Sequence, residues 1–272
     1  MQSVRLVAGG LVAAVLLGQA ALAAYTNNIL VTGYWPPTNE MVRHFSQDPN
    51  SNPGGWRGEN WEGMGYDVMS YFPEFPGGLG AGVGDFMVDY QDTSADFWRI
   101  VADVKPVAIV SLGRAEDNTD FRLEGGERKF PLNQWYSDYI SPYKPTAELP
   151  IAGEQDWKRR FTSLPTQDIL DEIAISGAHV RARRTTLDYS NFLCDFLGYH
   201  VNWYHDLHSE PNDPAWNVAS GFIHVGGLVT VEDGRIATEA TLRALIRYVD
   251  GVVPEPASLA VLLVAAAFTR VG

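Results

Sequence analysis

The chain has 272 residues, with 33 Asp and Glu set against 20 Lys and Arg, for a formal net charge of −13. That balance argues against a phosphate backbone as a partner, and no basic stripe or nucleic-acid motif offsets it, so no nucleic acid is expected. Cys194 is the sole cysteine, so no internal disulfide can form and stability must come from packing.

In chain order, Arg5, the apolar run 6–22 and the small-x-small sequence Ala21-Leu22-Ala23 read as a secretory signal peptide over residues 1–23. The predicted domain, 24–252, is long enough for one core of its own. Residues 28–31, 66–71 and 107–112 are short, apolar and β-branched or aromatic, and read as strands. Residues 94–104, 164–176 and 238–249 have helical spacing; the last sets Ala240, Leu242, Ala244, Leu245 and Val249 against Glu239, Arg243 and Arg247. Such alternation predicts an α/β fold, a three-layer αβα sandwich with a mainly parallel sheet, whose chemistry gathers at the carboxyl ends of the strands. Two stretches look inserted: 47–65, with Trp56 and Trp61, and the glycine-rich 76–84. Each reads equally as a lid or as a surface loop with a tucked tryptophan.

Several residues carry chemistry. Cys194 follows a polar stretch in which Ser190 or Asp188 is a candidate helix cap, and thirty residues later His224 ends the run Gly221-Phe222-Ile223-His224-Val225. A thiol at a helix start and an imidazole can form a nucleophile and its base. His200, His205, His208 and Glu210 supply donors that zinc accepts, but without a recognised ligand spacing, so no metal and no cofactor is expected. His44 and His179 read as structural. Arg181, Arg183 and Arg184 suit either a carboxylate or a solvated strand end.

From about 28 to 250 the chain resembles the pyroglutamyl-peptidase family of cysteine peptidases. Four segments carry the likeness: Ile29-Leu30-Val31-Thr32-Gly33-Tyr34, the Leu164-Pro165 helix start, Ser190-Asn191-Phe192-Leu193-Cys194-Asp195, and Gly221-Phe222-Ile223-His224. The resemblance implies a Cys194 nucleophile, a His224 base and a glutamate that orients the imidazole. Phe121-Arg122-Leu123-Glu124 matches the family's apolar-x-x-Glu, which points to Glu124, while Glu127-Arg128 reproduces its Glu-Arg pair and keeps Glu127 open. The family's aromatic-x-Pro turn lines the substrate ring; here it reads Tyr34-Trp35-Pro36-Pro37-Thr38-Asn39. Tyr34, Trp35 and Asn39, with Arg114, are thus the expected substrate-binding residues. Pro37 in place of the second aromatic, and the missing glycines, are expected to reshape the acyl pocket. The implied partner is a peptide or small amide.

At the far end, 253–272, Pro254-Glu255-Pro256 precedes the apolar run 259–268 and Arg270. This resembles the PEP-CTERM sorting signal of Gram-negative bacteria. It implies recognition by exosortase-type sorting machinery, transient membrane contact through the tail, and a destination in the periplasm, envelope or extracellular matrix.

Overall fold

The computed structural model describes residues 25–186 and 190–253; the expected signal segment, Asp188 and the Pro254-Glu255-Pro256 tail lie outside them. Among the described residues there are eight strands: β1 (Asn28–Gly33), β2 (Asp67–Tyr71), β3 (Ala108–Arg114), β4 (Asp120–Leu123), β5 (Gly126–Arg128), β6 (Arg159–Phe161), β7 (Arg181–Arg184) and β8 (Ala219–Val225). Between them run α1 (Thr38–Val42), α2 (Tyr90–Val104), α3 (Thr166–Ser176), α4 (Leu193–Leu207) and α5 (Val231–Val252). Six strands form one sheet in the order β2-β1-β3-β8-β4-β7, and β5 and β6 make a separate hairpin.

Strands β2, β1, β3 and β8 are mutually parallel, while β4 pairs antiparallel with β8 and carries β7 parallel to itself. Ile29, Leu30, Val31 and Ala108 to Val110 are fully buried, as continuous apolar strands covered on both faces must be. Alternate side chains then divide between two cores. Ile29, Val31, Val110, Leu112 and Ile223 pack with Met41 of α1, Ile169 of α3 and Leu245 of α5. Leu30, Ile109 and Phe222 pack with Phe97 of α2 and Phe196 of α4. The result is the three-layer αβα sandwich, and α4 belongs to the second layer.

The structure decides two local readings. The 47–65 segment is not a lid: Gly58 O accepts from Val68 N (2.8 Å), Trp56 Nε1 donates to Val68 O (2.8 Å), and Trp61 is buried beside Phe45. It therefore covers the free edge of β2, where exposed N–H and C=O groups would invite pairing. Ser190 does not occupy the cap of α4; Phe192 does, without a side-chain cap, and Asp195 reaches back to accept from Asn191 N (2.8 Å).

Candidate active site

In β8, Ile223 and Val225 face the α1/α3/α5 core, so the period of two turns Phe222 and His224 toward α4. His224 lies within the strand rather than past its end, and its register neighbour on β3 is Gly113. Leu112 faces the opposite core, so Gly113 also faces α4. A Cβ built on Gly113 would meet Cys194 Sγ at 2.9 Å and Phe222 Cζ at 2.6 Å. The thiol thus sits directly over the glycine and next to the strand position of His224. Glycine is needed here for close approach, not for a special backbone angle.

Glu124 follows β4 immediately, where its N–H donates to Phe222 O (3.0 Å). Its Oε1 accepts from His224 Nδ1 (2.9 Å) and its Oε2 accepts from Thr185 Oγ1 (2.7 Å). Of the two glutamates left open by the sequence, Glu124 is the one hydrogen-bonded to the imidazole. Glu127, on β5, points instead at Asn202 of α4. Cys194 is the second residue of α4, where the first-turn amides have no carbonyl partners within the helix. Cys194 and His224 are 7% and 4% exposed, so the site is nearly closed.

The cover is aromatic. Trp35 lies 6.1 Å from Phe192 and 5.7 Å from Tyr139, measured between ring centroids, and its Nε1 donates to Gly80 O (2.7 Å). The glycine-rich 76–84 segment therefore reaches Trp35. Tyr139 belongs to a stretch the sequence reading passed over. Tyr136 N donates to Asn191 O (3.0 Å), Asn191 Nδ2 donates to Gln134 O (2.6 Å), and Tyr90 OH donates to Tyr136 O (2.9 Å). These bonds tie residues 134–139 to the entry of α4. The available signal was the density of Trp135, Tyr136, Tyr139 and Tyr143 between Pro131 and Pro145.

The other expected substrate residues are dispersed. Tyr34 is buried under the site, its hydroxyl bonded to Thr93 Oγ1 (2.6 Å), and burial raises its pKa. Arg114 donates to Pro36 O (2.9 Å) and to Asp117 Oδ1 (2.6 Å), so it braces the turn after β1. Asn39 is buried with its Nδ2 on Glu40 Oε1 (3.1 Å) and near Pro73, toward the β2 edge. Arg181 and Arg183 hold Asp120, and Arg181 above all keeps that carboxyl down at about 2.

The histidines of α4 are each occupied locally. His200 is fully buried, its Nδ1 donates to Phe196 O (2.7 Å), and burial lowers its pKa to about 4. His205 Nδ1 lies 3.0 Å from Asn217 O, and His208 Nδ1 lies 2.9 Å from Asp213 Oδ2. Among the described residues no three His, Cys, Asp or Glu side chains converge as a metal site. An open cleft of about 330 Å³, lined by Asp48, Met69, Tyr71 and Glu74 among others, lies at the end of β2 and includes no member of the Cys194 constellation.

Solved structures place this architecture. Pyrrolidone carboxyl peptidase from Thermococcus litoralis superposes with a TM-score of 0.59 at 15% identity, over 84% of this chain and 97% of that one. Pyroglutamyl peptidase I from Bacillus amyloliquefaciens gives 0.57 at 15% identity, over 81% and 95%. A single-residue mutant of the Pyrococcus furiosus pyrrolidone carboxyl peptidase gives 0.56 at 15% identity, over 81% and 99%. The chain has the pyroglutamyl-peptidase fold. No family model and no curated protein matches its sequence.

Proposed function

We propose that this chain is an exported cysteine peptidase or amidase of pyroglutamyl-peptidase type, acting on small N-terminal acyl groups of peptides. The observation that carries the reading is the 2.9 Å bond from His224 Nδ1 to Glu124 on the strand beside Gly113, over which Cys194 Sγ lies. With Nδ1 committed to Glu124, the base role falls to Nε2. His224 takes the Cys194 proton, and the sulfur adds to the substrate carbonyl. The developing oxyanion meets backbone N–H groups at the start of α4. The C–N bond then breaks as His224 returns the proton to the leaving amine. Water, deprotonated by His224, releases the acid and restores the thiol.

The rebuilt turn after β1 favours an acyl group other than pyroglutamate. Pro37 stands where the family has a second aromatic, and Trp35, Phe192 and Tyr139 wall the approach instead. Losing one ring from around a small lactam costs on the order of 1–3 kcal/mol, hence roughly tenfold to over a hundredfold in rate. Export through residues 1–23 and sorting through the PEP-CTERM-like tail belong to the same proposal.

A panel of N-acyl coumarin amides, with and without Cys194→Ser, tests it. We expect slow turnover of the pyroglutamyl amide, faster turnover of another small acyl amide, and loss of both in the serine variant. The near closure of Cys194 and His224 favours a second reading, a catalytically silent relative serving as an envelope or matrix binding module. No turnover of any amide would select it.

A further inference from the structure

Glu127 has no part in the chemistry above, yet it is 1% exposed and lies against the helix that carries Cys194. Its Oε2 accepts from Asn202 Nδ2, and its Oε1 has no hydrogen-bond partner among the described residues. A Cβ on Gly198 would fall 2.7 Å from its Cδ and 2.8 Å from its Oε1, so the glycine makes the space that the carboxyl fills. Asp195, Gly198 and Asn202 stand at i, i+3 and i+7, one face of α4, and Glu127 is what that face meets on β5. The charged groups around it come from several elements: Asp195 on α4, Glu124 after β4, His224 on β8, and Arg160 opposite it on β6. Arg160 is engaged by other groups, paired with Glu154 (2.5 Å) and Asp206 and stacked on Tyr199 and Trp203.

We propose that Glu127 is a positioning residue that keys α4 onto β5 and thereby fixes Cys194 over Gly113, beside His224. It acts as the neutral acid. Burial first, then Asp195 and Glu124, push its carboxyl well above the ordinary range, against smaller opposite effects of His224 and Asn202. An ionised Glu127 would also compete with Glu124 for the imidazolium. The inference rests on Cys194 being the nucleophile, but its test does not need a substrate.

The test compares Glu127→Gln and Glu127→Ala in the purified chain by iodoacetamide alkylation of Cys194 across pH and by thermal melts. A group whose pKa is raised on folding favours the fold fully below its unfolded pKa, about 4.3, and loses that contribution as pH rises through the folded value. Glu127→Gln should therefore gain stability over the parent increasingly from pH 5 to pH 8, while alkylating within about twofold of the parent rate. Glu127→Ala, which leaves α4 unkeyed, should alkylate at least about tenfold more slowly, since displacements near 1 Å carry such losses. If the alanine variant does not fold, Asn202→Ala carries the same expectation.

A folded Glu127→Gln as slow as His224→Ala, a Glu127→Gln with no alkaline-side gain, or a Glu127→Ala at the parent rate would each overturn the proposal. An inert Cys194 in the parent would sink the peptidase reading by itself. The melts still decide the keying in that case, because Glu127→Ala must then cost more than Glu127→Gln at every pH.

Discussion

Replacing Gly113 with alanine adds one methyl group at the point where β3 passes beneath the thiol. The new Cβ would lie 2.9 Å from Cys194 Sγ and 2.6 Å from Phe222 Cζ. Non-bonded heavy atoms rest at about 3.5–4.0 Å, so the thiol and the ring must each retreat by roughly 0.6–1 Å or more. Both are held from behind, Phe222 by β8 and Cys194 by the first turn of α4. Overpacking of this kind costs about 1–3 kcal/mol, and for a domain of this size each kcal/mol lowers Tm by about 2–4 °C. The larger effect is on reactivity, since misplacing a reacting atom by 1 Å can cost up to about a hundredfold. Gly113 has no left-handed backbone angle, so any loss is steric. Iodoacetamide alkylation and thermal melts read the two effects separately, with Gly153→Ala as control because nothing lies within 4 Å of its Cβ. A Gly113→Ala chain that melts and alkylates like the parent would refute the placement of Cys194 over β3.

Glu124→Gln should slow Cys194 alkylation at neutral pH nearly as much as His224→Ala, and Thr185→Val, which removes the 2.7 Å bond to Glu124 Oε2, should do so by a smaller factor; equal rates in all three and the parent would dissolve the dyad. Asp138 sits in the segment that carries Tyr139, and burial, with Asp89 adding to it, pushes its carboxyl up to about 6. Its contribution to stability is therefore complete below about pH 4 and fades as pH rises through 6, so Asp138→Asn should raise Tm relative to the parent at pH 8 but not at pH 4. Melting curves at the two pH values check the sign.

The layers were legible because residues 29–31 and 108–110 are unbroken apolar runs, as strands covered on both faces require. Helix α5 was readable but began later on paper than in the molecule. Gly234 hid its first turn, although Thr230 caps it by accepting from Asp233 N (3.0 Å), and the glycine lets Met41 pack close. Short polar β4 was hidden for a different reason: its partner β8 lies about a hundred residues away, and pairing at that separation leaves no local period. Buried polar residues on α4, Asp195, His200 and Asn202, also break the amphipathic pattern. At the site, Cys194, His224 and Glu124 could be picked out from short motifs. The aromatic cover could not, because prolines interrupt 131–150 and its contacts depend on tertiary placement. The choice of Glu124 over Glu127 needed the hydrogen bond.

The most direct test of the account is to trap the acyl-enzyme. The chain is mixed with activated small acyl esters, quenched in acid within seconds, and weighed intact before peptide mapping. A single adduct on Cys194 is expected, one that decays at neutral pH, fails to form in Cys194→Ser, and forms much more slowly in His224→Ala. Absence of any adduct, with Cys194 no more reactive in the folded chain than in denaturant, would contradict it.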